Sequence, residues 1–247
     1  MSAAIEVENL AKVFGGLRAV DGVTLRVAPG ERRALIGPNG AGKTTLFHCV
    51  TGTQRASSGH VRLFGHDVTQ LPEYRRTELG MGRTFQITNV FTELSLAENL
   101  ALSIIGRDRR KWIFHRPLAA FPAVREHALA GLDAVGLESR ADQPVKLLSY
   151  GERRQLELAL ALNTSPRVLF LDEPCAGLSP SERTRIFNMV RALPRHITVV
   201  LIEHDMDVAL GLADQVTVMH RGRVIAEGTP AVVQGNTEVR DVYFGHV

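Results

Sequence analysis

Polar and apolar positions alternate in Ile5-Glu6-Val7-Glu8 and again in Val23-Thr24-Leu25-Arg26-Val27, and a period of two predicts half-buried antiparallel strands. Continuous apolar runs follow a different logic. Ala34-Leu35-Ile36 leads into a glycine-rich stretch, Val168-Leu169-Phe170-Leu171 ends in two acids, and Thr198-Val199-Val200-Leu201-Ile202 precedes Glu203-His204-Asp205. Each reads as a strand that delivers polar residues at its far end. Residues 59–65 and 215–219 add two further strands.

Helical periodicity fills the remainder. Residues 45–50 open into a helix after the glycine-rich stretch, and a short one is expected up to about Leu79. Beyond residue 86 the period moves from 2 toward 3.6. Ser95-Leu96-Ala97-Glu98 matches the S-x-x-E capping box and starts a helix with apolar Leu100, Leu102 and Ile104. Residues 123–135 form another, ended by Gly136, and a third runs from near Ser149 through Leu162; residues 181–193 and 206–212 are helices after strand chemistry returns. The alternation predicts an α/β fold with a mostly parallel sheet, helices on its faces, and a helical lobe inserted at residues 87–166 between 1–86 and 167–247. In such sheets ligands sit at the carboxyl ends of the strands, where Gly37, Asp172 and Glu173 would converge.

Composition narrows the class without changing the fold. The 247 residues are 45% hydrophobic and 22% charged, enough for one substantial core. A formal charge of +3 is no polybasic footprint, so nucleic acid is not an expected partner. Cys49 and Cys175 stand far apart, without the spacing of a zinc site or disulfide framework, as in a reducing compartment. Met1-Ser2-Ala3-Ala4-Ile5-Glu6-Val7-Glu8 places acids where a secretion signal needs basic residues, and no apolar run approaches the ~18 residues of a membrane span. Any work at a membrane would go through a partner.

The candidate chemistry begins at Gly37-Pro38-Asn39-Gly40-Ala41-Gly42-Lys43-Thr44. The spacing G-x-x-x-x-G-K-[ST] between a strand and a helix is that of a phosphate-binding loop, whose glycines let backbone N–H groups turn toward an anion at a helix N-terminus. Lys43 would reach the β- and γ-phosphates and the Thr44 hydroxyl would complete a Mg²⁺ shell. Asp172, ending an apolar strand, is placed to hold Mg²⁺ through water. Glu173 points elsewhere, because side chains alternate along a strand, and could deprotonate an attacking water. Phe14, beside Gly15-Gly16, could stack on a base, although an aromatic there is more commonly a core residue.

Leu148-Ser149-Tyr150-Gly151-Glu152-Arg153, then Leu169-Phe170-Leu171-Asp172-Glu173-Pro174, then Glu203-His204-Asp205 resemble, in order and spacing, the signature, Walker B and switch-histidine segments of ATP-binding cassette ATPases. Phe14 matches the adenine-stacking aromatic, residues 37–44 the Walker A loop, Gln86 the Q-loop glutamine and Ala176-Gly177-Leu178-Ser179 the D-loop. The resemblance implies a P-loop NTPase (RecA-like) core with an N-terminal antiparallel β subdomain and an inserted α-helical subdomain carrying the signature. It also implies ATP and Mg²⁺ as cofactors. Two cassettes would face head to tail, each ATP lying between one Walker A loop and the other's signature. Phe14, Gly37, Asn39, Gly40, Gly42, Lys43, Thr44 and Thr45 would hold the nucleotide, with Ser149 and Gly151 lent to the facing site. Thr44, Gln86 and Asp172 would serve Mg²⁺. Glu173 would act as general base, His204 would contact the γ-phosphate and the water, and Gln86 would sense both while coupling to the membrane partner.

Three positions depart from the commonest pattern: Tyr150 stands where glycine is usual, Glu152 where glutamine is usual, and Ser179 where aspartate is frequent. Together with Gly82-Arg83-Thr84-Phe85-Gln86, Gly228-Thr229-Pro230 and Val242-Tyr243-Phe244-Gly245, they are similar to one of the two paired ATPase types of importers that serve branched-chain amino acids. That resemblance implies a peripheral protein on the cytoplasmic face of the inner (plasma) membrane, with transmembrane permease subunits and, indirectly, a substrate-binding protein as partners. A urea or amide importer is an alternative. A soluble cassette for DNA repair or translation is a weaker one, since such relatives add a long coiled coil, zinc cysteines or a second cassette. The basic segment at residues 107–116, with the sole tryptophan Trp112, is read as a solvated loop, with an anionic lipid surface as the alternative.

Overall fold

The computed structural model describes residues 2–84, 90–105 and 121–244. Gln86 and the basic segment at 107–116 lie outside the described residues.

The alternating N-terminal stretches form an antiparallel sheet. Strand β1 (Ile5–Phe14) pairs with β2 (Leu17–Val27) on one edge and, after β3 (Arg32–Ile36) has entered the other sheet, with β4 (Ser58–Leu63) on the other edge; β5 (His66–Asp67) completes the order β2-β1-β4-β5. Both strands run further than the alternation indicates, because the hairpin continues past the regular pattern to Phe14 opposite Leu17, through several register shifts.

The second sheet has the order β10-β9-β3-β8-β7-β6, from β6 (Met81–Arg83), β7 (Val168–Asp172), β8 (Thr198–Ile202), β9 (Gln215–His220) and β10 (Arg223–Gly228). Pairings are parallel except the β9–β10 hairpin, whose turn residues Arg221 and Gly222 both have positive φ. Two strands escape the sequence pattern. Three residues at Met81–Arg83 are too few to show a period, and Arg223–Gly228 mixes charged and apolar residues on an edge.

Period-two alternation divides the buried strands between two cores. Leu35, Phe170, Val200 and Ile202 face α1 (Lys43–Thr51) and the antiparallel sheet, where Phe47 meets Phe170 edge to face at 5.2 Å between centroids. Ala34, Ile36, Leu169, Leu171, Val199 and Leu201 face the opposite core. There α3 (Leu96–Ile105), α4 (Pro122–Asp133) and α5 (Tyr150–Asn163) pack together, beside α6 (Pro180–Ala192) and α7 (Met206–Leu212). Covering both faces explains why the central strands read as continuous apolar runs. Each buried large apolar side chain stabilises the fold by about 1.5–3 kcal/mol. The Ser95 capping box forms, Ser95 Oγ accepting from the Glu98 amide at 3.2 Å. Leu102 is 41% exposed, so the buried stripe of α3 is Leu96, Ala97, Leu100 and Ala101.

One buried cation fixes the far end of α1. Arg76, on the short helix α2 (Glu73–Glu78), is 1% exposed and donates to the carbonyls of Cys49, Val50, Thr69 and Leu71. Four acceptors replace the hydration a guanidinium loses on burial, and two of them are carbonyls at the electronegative end of α1. Two small helices, α8 (Pro230–Gly235) and α9 (Thr237–Phe244), end the described chain.

Candidate functional site

Parallel registration brings three strand ends level. Leu35 of β3 and Asp172 of β7 both lie opposite Ile202 of β8. The next residues along each strand, Gly37 after Ile36, Glu173 after Asp172, and Glu203 and His204 after Ile202, therefore emerge along one rim.

The glycine-rich loop leaves β3 with Gly37 at φ +148°, and a Cβ there would sit 2.2 Å from the Met219 carbonyl oxygen. Gly42, at φ +99°, would bring its Cβ 2.2 Å from the Ala19 oxygen. Only glycine fits this path. Gly42 caps α1 with no side-chain bond and no acid in the first turn, so its leading N–H groups remain for an anion. Asn39 and Gly40 are exposed and Thr44 and Thr45 half-buried at this end. Lys43 is buried and donates to Gly37 O at 2.6 Å and Pro38 O at 3.0 Å. Burial holds its ammonium below the ordinary lysine range, while Glu173 and then Asp172 pull the other way.

Asp172 is 1% exposed, and both its carboxylate oxygens lack a hydrogen-bond partner among the described residues. Burial, and then the Glu173 charge, raises its carboxyl above the usual range. A buried carboxylate without donors is costly, and a divalent cation at the rim would relieve that cost. No cluster of three His, Cys, Asp or Glu side chains that could hold a metal exists among the described residues. The donor set therefore suits a Mg²⁺ ion held by Asp172, Thr44 and phosphate oxygens, not a self-sufficient protein cage.

Glu173 takes a left-handed backbone, φ +49°, rare for a non-glycine residue and a form of strain concentrated at functional sites. Its Oε1 lies 2.5 Å from His204 Nε2. Behind the pair, Glu203 is 3% exposed and accepts the Cys175 amide at 3.0 Å; burial raises its carboxyl. Burial, followed by the Glu203 charge, pushes the Cys175 thiol up to about 12. Thr84, directly after β6, donates its amide to Phe170 O at 3.0 Å, which holds this residue beside β7.

Ser149 caps α5: its Oγ accepts the Glu152 amide at 3.2 Å, and Glu152 Oε2 accepts the Ser149 amide at 2.8 Å. The glutamate at 152 is thus half of a capping box, held further by an ion pair with Arg140. Ser179 repeats the motif on α6 with Glu182. Both boxes repeat the S-x-x-E spacing read at Ser95, and they account for Glu152 and Ser179, two of the three departures. Phe14 is 43% exposed at the β1–β2 tip, with Lys12 Nζ 4.9 Å from its ring centroid, so it is no core residue. A cleft of about 250 Å³ opens between Met81, Arg83, Thr84, Glu157, Leu160 and Glu73. Sequence reasoning missed Glu203, Glu182 and Arg154, none of which belongs to a quoted motif as a reacting group.

Comparison with known proteins gives a consistent result. A family model described as "ABC transporter" matches residues 20–176, and one described as "Branched-chain amino acid ATP-binding cassette transporter" matches residues 223–247. The chain is 38% identical over 251 residues to the high-affinity branched-chain amino acid transport ATP-binding protein BraF of Pseudomonas aeruginosa, covering 98% of this chain and 97% of that one. It is 36% identical over 250 residues to LivG of Escherichia coli, with the same coverage. The ADP conformation of MJ1267, an ATP-binding cassette of an ABC transporter, superimposes with a TM-score of 0.87 at 32% identity over the full length of both chains.

Proposed function

This chain belongs to the ABC transporter family of ATP-binding proteins, and from that membership we propose that it energises an importer of branched-chain amino acids through a composite site of which the rim described above is one half. The observation that carries the catalytic part is the buried Asp172 carboxylate, without a hydrogen-bond partner among the described residues, beside the phosphate loop and the Glu173–His204 pair.

Residues 1–86 with 167–247 form the nucleotide-binding part, and 87–166 the helical part that carries the signature. Gly37, Asn39, Gly40, Gly42, Lys43, Thr44 and Thr45 cradle the triphosphate through backbone donors and the Lys43 ammonium, and the exposed Phe14 ring stacks on adenine. Asp172, Thr44 and Gln86 hold Mg²⁺, which neutralises charge on the β- and γ-phosphates. Glu173 accepts the proton of the attacking water, and His204 positions Glu173 and meets the γ-phosphate. Ser149 and Gly151 serve the ATP of a facing cassette at the N-terminus of α5, where the helix dipole favours an anion. Hydrolysis therefore needs two cassettes.

No helix among the described residues is long and apolar enough to cross a membrane. The transmembrane permease subunits dock at the cleft between Arg83, Glu157 and Leu160, from the cytoplasmic face. Branched-chain amino acids as the solute are supported by similarity to BraF and LivG and by the match at residues 223–247. Purification from membranes tests the reading: the chain should co-purify with polytopic partners whose ATPase responds to a binding protein loaded with leucine, isoleucine or valine. Recovery as a nucleic-acid-bound protein without membrane partners overturns it, and a response to urea or short amides redirects the solute alone.

A further inference from the structure

Two contacts join the N-terminus of α5 to the loop and helix that follow β7. The first runs through Glu182, in the first turn of α6. Its Oε2 accepts from the Ser179 amide at 3.0 Å and from Ser179 Oγ at 2.6 Å, which is the ordinary capping box. The carboxyl group has a second face. A Cβ built on Gly151 would lie 2.2 Å from Glu182 Oε1 and 2.5 Å from its Cδ, so Glu182 rests directly on the signature glycine. A side chain at 151 would push the Glu182 carboxylate out of this position. The charge sits at the positive end of α5, where a carboxylate is favoured.

The second contact runs through Tyr150. A Cβ built on Gly177, whose φ is +72°, would lie 3.3 Å from the Tyr150 ring, so the ring covers this glycine. Tyr150 is itself held from below. Arg154 donates to its hydroxyl at 2.9 Å and lies 5.3 Å from its ring centroid, while Glu157, 7% exposed at its side chain, accepts from Arg154 at 2.9 Å. A glycine at 150 could make none of these contacts.

We propose that Glu182 and Tyr150 are positioning residues for ATP hydrolysis, fastening the signature turn Ser149-Tyr150-Gly151 to the loop Ala176-Gly177-Leu178-Ser179 so that both meet the facing cassette's nucleotide as one rigid unit. Neither is among the residues assigned above to the ATP of its own chain. The inference rests on the composite-site reading above. It gives Tyr150 and Ser179, two departures from the commonest cassette pattern, a common mechanical purpose. Loosening the unit displaces the donors at Ser149 and Gly151, and misplacements of about 1 Å cost up to ~100-fold in rate.

The test uses the transporter complex purified from membranes. Glu182→Ala and Tyr150→Gly should each lower kcat about tenfold, with ATP affinity unchanged within about twofold. The double variant should fall no further than the worse single one, because both break the same unit. Glu182→Gln, which keeps one of the two contacts, should recover part of the loss. A merely structural role would lower the thermal midpoint and leave kcat per folded complex intact. Wild-type kcat in both single variants, or losses that multiply in the double, overturns the inference. Ser149→Arg separates the two levels: if it too retains full turnover, the composite site is wrong, whereas its failure beside fully active Glu182→Ala and Tyr150→Gly rejects only the positioning unit.

Discussion

Glu173 Oε1 and His204 Nε2 lie 2.5 Å apart, although 31 positions separate them in the chain, because β7 and β8 run parallel with Asp172 opposite Ile202. The sheet register, and the left-handed turn at Glu173, put a carboxylate and an imidazole side by side at one rim. Each residue alone is an ordinary polar group after a strand.

Replacing Glu173 by Gln removes the proposed proton acceptor and keeps the shape. ATP binding should persist within a few-fold, while hydrolysis falls by about 10²–10⁴. Single-turnover hydrolysis with radiolabelled ATP, together with ultracentrifugation in ATP, checks this; a trapped ATP-bound dimer is the expected species. Normal turnover would show that the base lies elsewhere.

Asp172→Asn separates the cost of a buried charge from its use. The metal-free protein should gain about 2–4 °C in thermal midpoint, because a buried carboxylate that no described residue donates to is gone. The additional stabilisation that Mg²⁺ gives over ATP with a chelator should disappear. Differential scanning measurements in both media decide it, and an Asn variant that keeps the full Mg²⁺ increment refutes the assignment of Asp172 to the metal.

Glu203 makes stability depend on pH. Burial raises its carboxyl in the folded state, so as pH climbs from the ordinary carboxylate range the unfolded chain loses this proton first. Above that range the native state binds more protons than the unfolded one, and stability falls until the raised value has been passed. Glu203→Gln keeps an oxygen for the Cys175 amide and carries no charge. Urea unfolding from about pH 4 to pH 8 should show a flatter profile for the variant and a higher midpoint at the alkaline end.

Cys175 should be inert in the folded protein. Its thiol is 4% exposed and pushed up to about 12, so almost no thiolate exists at neutral pH. A maleimide reagent at pH 7 should label Cys175 only after denaturation, with ATPase activity unchanged by the treatment. Rapid native labelling accompanied by loss of activity would give the residue a reactive role.

The phosphate loop, the Ser95 capping box and the apolar runs of β3, β7 and β8 were legible because each depends on local chemistry: a required glycine, an S-x-x-E spacing, or a buried strand. From its neighbours alone Phe14 was not, and only the family resemblance assigned it to adenine. An aromatic beside a Gly-Gly turn reads as core until the hairpin is seen to project it, 43% exposed, past the sheet. Edge strands β6 and β10 were likewise illegible, since their pairing is set by β7 and β9 and not by their own pattern.

By itself the sequence determined which residues could bind phosphate, metal and water, and in what order they come along the chain, because backbone freedom and hydrogen-bonding type are properties of single residues and short spacings. The tertiary structure alone decided which of them meet. Register places His204 on Glu173, burial leaves Asp172 without a donor among the described residues, and the packing of α6 against α5 seats Glu182 on Gly151. Those are distances between segments remote in the chain, and only folding sets them.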